Sequence, residues 1–370
     1  MTRVNILTSG FTSSNGCAFL FPLLVHRRAL QDAGITLALH DNDADHARLT
    51  DCDVLIVDNK FYGPRWIAES DAIVETFARL SAVAPKLFYF DITDSSGWDH
   101  ARVLPYVTGY FKNQLLRDRS LYLRPLHGYR LYTDHYHQND GVSDADQAVS
   151  EPVGDAGLLA KLHIGWNSGL ADYSLLGPLR MALYRRMPLG PLLRFPQQFT
   201  AAGTDRGKDV SCRIGTGYPR ATVAHQRQRM RAALGDRIDT EKLSRRAYLR
   251  ELAESKIVVS PFGLGEITLR DFEIFLAGAA ALKPDMSHME TWPDLFRGDE
   301  TILAHQWDLS DLDATIDSAL AEPARRIEIA ARAQSEYRRH LIGPEAARLF
   351  VERVQAILKV GAEPSSRAAE

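Results

Sequence analysis

The stretch Lys256–Phe296, KIVVSPFGLGEITLRDFEIFLAGAAALKPDMSHMETWPDLF, decides how the rest of the chain is read. Ile257, Val258 and Val259 form a short β-branched run without polar alternation, as in a strand buried on both faces of a parallel sheet. In Pro261-Phe262-Gly263-Leu264-Gly265, two glycines let the backbone turn sharply and bring its amides close to a ligand. A helix is expected from about Glu266 to Ala277. The i, i+3/i+4, i+7 rule then puts Leu269, Phe272 and Leu276 on one stripe and Glu266, Arg270, Glu273 and Ala277 on another. Gly278 ends the helix and Ala279 to Leu282 make the next strand. Lys283-Pro284-Asp285-Met286-Ser287-His288 form a polar loop at that strand's carboxyl end, where open α/β sheets bind ligands.

Taken singly, these features have ordinary explanations: glycines make plain turns, and Glu266, Arg270 and Glu273 could be a solvated ion-pair ladder worth about 0.3–0.5 kcal/mol per pair. Their coincidence in one strand-loop-helix-strand-loop unit points elsewhere. Glycine amides and a helix amino end suit a diphosphate, Arg270 adds a fixed cation, and Glu273 can accept two hydroxyl hydrogen bonds from a ribose or sugar.

On these residues the segment resembles the donor-binding half of a GT-B glycosyltransferase, with a family 1/4-like donor domain. The resemblance covers about the last 160 residues. In that class a helix glutamate five residues before a glycine holds the nucleotide ribose, matching Glu273 and Gly278. The loop after the next strand, which contacts sugar and diphosphate, matches Met286, Ser287 and His288, with Glu290 and the turn Arg297-Gly298-Asp299 beyond it. Many retaining members carry a further glutamate where this chain has Gly265, with Glu266 one step late, so the stereochemical course stays open. SPFGLGE, KPDMSHMETWPD and GWNSGLADYS resemble bacterial CgeB-type spore-maturation glycosyltransferases. The resemblance implies two Rossmann-like α/β domains, their parallel sheets facing each other across a cleft. It also implies transfer from a nucleotide-diphosphate sugar to a glycan, lipid-linked or surface-polysaccharide acceptor, with peripheral association at the inner membrane face among the expected contacts. Donor contacts are expected from Arg213, Gly215, Gly217, Tyr218, Gly263, Gly265, Glu266, Arg270, Glu273, Lys283, Ser287 and His288.

With 370 residues, the chain suits two domains plus connectors. The expected division is residues 1–190 for an acceptor domain and 191–342 for a donor domain. Residues 343–360 form a helix crossing back to the first domain, and 361–370 a disordered tail. A formal net charge of −3 gives no basic footprint for nucleic acid. Met1 to Gly10 reads as a strand and polar turn rather than a signal peptide, and no apolar run approaches the ~20 residues of a membrane span. Cys17, Cys52 and Cys212 show no paired spacing. The expected location is cytoplasmic.

Val4 to Thr8 reads as the first strand, with a small-residue loop to Gly16. A helix is expected from near Ala18, with Pro22 in its first turn and Gly34 past its end. Strands at Ile35 to Leu39, Asp53 to Val57 and Leu87 to Phe90 end in His40-Asp41, Asp58-Asn59-Lys60 and Asp91. Asp91 is either part of a helix or turn cap, made by it or by Asp94, or the general base that deprotonates an acceptor hydroxyl, with Asp41, Asp58 and His135 as rivals. Asp58, Lys60, Lys112, Trp166 and Asn167 are the acceptor-side candidates. Lys112 could otherwise be a snorkelling surface lysine and Trp166 a packing residue. Residues His135 to Ala160 read as a flexible excursion, and Met187 to Pro191 as the start of the interdomain connection. Gly215-Thr216-Gly217-Tyr218-Pro219-Arg220 repeats the anion-ready helix start, although the arginines behind it more often make a solvated face.

Asp-x-Asp pairs recur so often in this Asp-rich chain that they argue for chance, and the histidines show no ligand pattern beyond His135/His137. No obligatory metal or other cofactor is expected. Arg270 and the loop amides would stabilise the leaving diphosphate. Two alternatives stand beside transfer: a nucleotide-sugar epimerase on the same scaffold, which needs no acceptor, and a non-catalytic two-lobed sugar-binding protein, which would ignore nucleotides.

Overall fold

Short apolar runs in the first half of the chain pair into one parallel sheet. The strands are β1 (Thr2–Leu7), β2 (Ile35–His40), β3 (Val54–Asp58), β4 (Leu87–Asp91), β5 (Gly109–Lys112), β6 (Gln114–Leu116) and β7 (Leu162–Ile164). All but β6 lie in the order β2-β1-β3-β4-β5-β7. The structure, a computed structural model, describes residues 1–235 and 238–361. Val54 to Val57 is wholly buried, as a β-branched run in a sheet covered on both faces must be. The β4–β5 register sets Asp91 beside Lys112, so two charges 21 positions apart become neighbours inside the protein.

Three helices of this lobe bear on the site. α1 (Ser14–Val25) starts earlier than expected because the Ser13 side chain accepts from the Gly16 amide and caps it, leaving Pro22 in the helix interior rather than its first turn. α2 (Leu131–Asp140) and the segment after it replace the expected flexible excursion. Asp144, buried, accepts from the Thr222 amide at 2.9 Å and pairs with Arg220 at 3.2 Å. His127 also bridges to Val149, so the segment is stitched down by polar contacts that its composition does not reveal. α3 (Gly177–Arg186) precedes the connection to the second half.

The second sheet is also parallel, in the order β12-β10-β9-β8, from β8 (Lys208–Ser211), β9 (Ser255–Val259), β10 (Ala280–Pro284) and β12 (Leu303–His305); β11 (Met289–Thr291) leaves it. α4 (Ala221–Leu234) follows β8, α5 (Arg245–Glu254) leads into β9, and α6 (Leu269–Ala277) joins β9 to β10. α6 begins three residues after Glu266 because Thr268 and Asp271 form its capping box. Its stripe is only partly as expected: Phe272 is fully buried, while Leu269 is exposed.

Two devices hold the sheets together. β11 pairs antiparallel with β6 of the first lobe, Glu290 opposite Leu115. An apolar cluster runs continuously from Phe19 and Trp166 through Phe272 and Tyr337 to Phe350. After α7 (Leu312–Ala321) and α8 (Pro323–Arg339), α9 (Gly343–Leu358) returns to the first lobe. There Lys86 Nζ donates to Leu358 O and Val360 O, each at 2.9 Å, and Arg353 Nε donates to Gly165 O at 3.0 Å. No helix among the described residues is long and apolar enough to cross a membrane. Residues 362–370 of the expected tail lie outside those described.

Candidate functional site

The first lobe gathers polar residues at its strand ends, as expected, but closes them on one another. The Asp91 carboxylate is inaccessible and receives Lys112 Nζ at 2.7 Å, Tyr110 Oη at 2.9 Å, Asn59 Nδ2 at 3.1 Å and Thr93 Oγ1 at 2.7 Å. Burial works to raise its pKa, but the Lys112 charge and these donors hold it down at about 2. A carboxylate so placed cannot take a proton from an acceptor. The expectation for Asp91 as base is corrected on that ground.

The same geometry revises most acceptor-side expectations. Lys112 is buried and committed to Asp91 and to the Trp98 carbonyl, neither snorkelling nor free for a ligand. Trp166 is a packing residue, stacked parallel to Phe19 at 5.2 Å, its indole N–H donating to Phe19 O. Asn167 ties the lobes, donating to Thr291 Oγ1 and Pro293 O. Asp58 caps the turn Asn59–Tyr62, accepting from the amides of Lys60 and Phe61; its second oxygen is buried with only the Thr8 hydroxyl within reach, and burial pushes its pKa up to about 6.

The glycine loop is used differently from expectation. A Cβ at Gly265 would lie 1.8 Å from the Asp94 carbonyl oxygen, so glycine is required there because the first lobe presses against it. The loop's carbonyls face that lobe: Gly263 O accepts Tyr132 Oη at 2.5 Å and Leu264 O accepts Arg130 Nε, while the Gly263 amide is taken by Gly265 O. Glu266 is fully buried and accepts Ser96 Oγ at 2.6 Å and the Ser96 amide at 3.1 Å. Burial works to raise its pKa, but His288 and Ser96 hold it below the usual range. Lys283, also buried, is bound at 2.9 Å to both oxygens of Asp271. The amide cradle expected of Gly263 and Gly265, and the donor contacts of Glu266 and Lys283, are thus replaced by lobe-to-lobe and core contacts. Ser287 is exposed and bonded to Asp285. His288 stands edge-on to Trp307, with both ring nitrogens unpartnered and its Nε2 3.9 Å from Glu266.

What remains open lies on either side of the amino end of α6. On one side a cavity of about 650 Å³ is lined by six basic residues, Arg213, Arg227, Arg231, Lys242, Arg245 and Arg270, against one acid, Glu241. Gly215, Thr216, Tyr218 and Tyr248 complete it. Gly217 is not among its walls; a side chain there would meet open space. Arg213 is largely neutralised, paired with Glu251 at 2.6 Å and with Asp239. Arg227 and Arg270 make no ion pair among the described residues. Arg227 donates to the carbonyls of Phe262 and Gly215 and lies 4.7 Å over the Tyr218 ring, while Arg270 donates to Arg213 O and Val259 O. The buried Tyr248 hydroxyl has no partner by strict geometry and lies within reach of Arg270 and Glu273.

On the other side of α6 a crevice of about 450 Å³ lies between the lobes. Thr12 and Ser13 of the first-lobe loop and Ser14 and Cys17 of α1 face Arg245, Leu269 and Glu273, with Tyr173 and α3 closing one end. Arg245 walls both spaces and pairs with Glu273, whose pKa burial raises despite that cation. Asp94, three residues past β4, is exposed and accepts from Asn15 Nδ2 at 2.7 Å; it does not itself line the crevice.

Of the expected donor residues, the cavity assembles Arg213, Gly215, Tyr218 and Arg270, and Glu273 faces the adjoining crevice. Arg227, Arg245 and Tyr248, which also line the cavity, were missed. Arg227 sits in an arginine-rich helix that reads as solvated, and the only local signal for Arg245 is its place directly after the capping Ser244.

Residues 198–349 match a family model described as glycosyl transferase-like; the match covers the second parallel sheet and ends within the first half of α9. No curated protein matches the sequence. Among solved structures, the chain is similar to Anabaena Alr3699/HepE in complex with UDP-glucose, at 10% identity over 97% of this chain and 100% of that one, TM-score 0.42. It is similar to a glycosyltransferase from Rickettsia africae, at 10% identity over 98% and 99%, TM-score 0.43. Acinetobacter baumannii MurG is a third, at 11% over 96% and 100%, TM-score 0.38. The two parallel sheets, with a crevice between them, make the fold GT-B, two Rossmann-like domains.

Proposed function

We propose that the protein is a glycosyltransferase that binds a nucleotide-diphosphate sugar in the arginine-lined cavity and presents the sugar to an acceptor in the interlobe crevice. The observation that carries this reading is the pair Arg227 and Arg270. Two guanidinium groups without carboxylate partners, partly dehydrated at the carboxyl end of a parallel sheet, leave positive charge for an anion to satisfy. The volume lies within the range of small-molecule sites, about 300–1,000 Å³, and Tyr218 and Tyr248 offer surfaces to a base or ribose.

In the proposed reaction the acceptor hydroxyl loses its proton to Asp94, the exposed carboxylate on the first-lobe side. The acceptor oxygen bonds to the anomeric carbon as that carbon's bond to the diphosphate oxygen breaks. The leaving group departs with the bonding electrons, and Arg227 and Arg270 stabilise its charge through fixed donors that need no reorganisation. Glu273, held by Arg245 and facing the crevice, is assigned the hydroxyls of the ribose or sugar.

The test is donor hydrolysis and transfer with purified protein. Asp94→Asn is expected to lower kcat by roughly 100-fold or more while nucleotide binding persists. Arg270→Ala is expected to weaken nucleotide binding itself. Unchanged activity in both variants would remove the assigned site.

A further inference from the structure

α3 leaves its leucines in solvent. A helix of a globular protein normally turns its apolar stripe to the core, yet only Gly177 of α3 is buried. Leu176, Leu179, Leu183 and Met187 follow one another at helical spacing of three, four and four residues, and all face solvent; with Leu175 and Leu189 they are 37% to 58% exposed. These six are a large share of the exposed bulky apolar side chains, gathered within fifteen positions. Around them the charge is of one sign. From Tyr173 to Thr204 the chain carries Arg180, Arg185, Arg186 and Arg194 and no acid. Arg27 and Arg28 join them across a groove walled by Leu24, Tyr184 and Leu193. Arg180 is paired with Asp172, whereas Arg27, Arg28, Arg185, Arg186 and Arg194 have no ion-pair partner among the described residues.

We propose that this face docks on an anionic lipid bilayer surface. Exposed leucines beside unpaired arginines are the complement of an acyl boundary under negatively charged headgroups. A second copy of the chain fits worse, because a twofold interface would set the arginine clusters against each other. The face shares Arg185 with the crevice but no residue with the arginine-lined cavity, and none of its leucines lines either, so the docking does not depend on the proposed transfer. If that transfer holds, docking has a consequence for it: Met181, Ala182 and Arg185 of the same helix line the interlobe crevice, so its mouth would open near the membrane, where a lipid-linked acceptor would present its head.

The test is co-sedimentation of the full chain with phosphatidylcholine vesicles, with and without phosphatidylglycerol. Binding is expected only with the anionic lipid, weakening as salt rises. The paired changes Leu179→Asp with Met187→Asp, and Arg28→Glu with Arg186→Glu, should each reduce it at least about tenfold. The melting temperature should not move, since all four side chains are exposed. Equal binding to both vesicle types, binding untouched by the variants, or a dimer by light scattering that ignores vesicles would each overturn the proposal.

Discussion

The carboxyl ends of the two sheets carry similar residues and treat them in opposite ways. In the first lobe Asp91 and Lys112 meet inside the sheet, with Tyr110, Asn59 and Thr93 filling the remaining valences of the carboxylate. In the second, Arg227 and Arg270 find backbone carbonyls and tyrosine side chains but no carboxylate partner among the described residues, and face an open cavity. A charge whose partners lie within the fold is structural; a charge whose partner must come from outside is available for function. The difference lies in the count of internal partners, and residue type at a strand end does not reveal it.

The sharpest way to break this contrast is to remove one partner from the closed network. Lys112→Met would leave Asp91 buried and uncompensated, and should cost about 3–5 kcal/mol of stability by denaturant unfolding. A loss under about 1 kcal/mol would mean that the network is open to water. The matching change in the cavity, Arg270→Ala, should do the reverse. The melting temperature should stay nearly constant while kcat/KM falls by roughly 100- to 1,000-fold, the usual effect of losing one fixed donor to a charged transition state.

Asp58 sharpens the comparison from within the first lobe, because it is buried there without an ion pair among the described residues, and burial outweighs the Thr8 hydroxyl, the Lys60 and Phe61 amides and the Lys60 charge that favour its ionised form. Its folded-state pKa, pushed up to about 6 by burial, exceeds its ordinary value of 3.8. The folded protein therefore holds this proton more tightly than the unfolded chain does. The contribution to stability is complete below about pH 3.8 and is lost as pH rises to about 6, at most about 3 kcal/mol from this group. Asp58→Asn keeps an oxygen to cap the turn and should flatten that part of the stability profile, so that the variant is the more stable protein at pH 7. Superimposable profiles from pH 4 to 7 would show Asp58 to be solvated.

Much of the fold was legible because parallel strands are local signals. Val54 to Val57 and Ile257 to Val259 announce themselves by composition, and β9, the turn and α6 follow in the expected order. The site was legible only in part. Arg270 and Glu273 could be found because helical spacing is local, but their surroundings could not. Arg245 pairs with Glu273 across 28 positions, and Arg213 with Glu251 across 38. Lys112 reaches Asp91 only through the β4–β5 register. The glycine loop misled for a related reason: glycine serves equally for approach to a phosphate and to another stretch of backbone, and only the position of Asp94 distinguishes them. The β11–β6 ribbon, three residues on each side, is too short to register as a pattern.

The central claim, that Arg227 and Arg270 await the diphosphate of a nucleotide, is tested most directly by a thermal-shift panel of uridine, thymidine, guanosine, adenosine and cytidine diphosphates, run on the wild-type protein and on Arg227→Ala with Arg270→Ala. At a hundredfold excess over Kd, a ligand of the folded state adds about 2.7 kcal/mol, so at least one nucleotide should raise the wild-type melting temperature by about 3–6 °C and leave that of the double variant unmoved. No shift with any nucleotide, or the same shift in both proteins, would contradict the account.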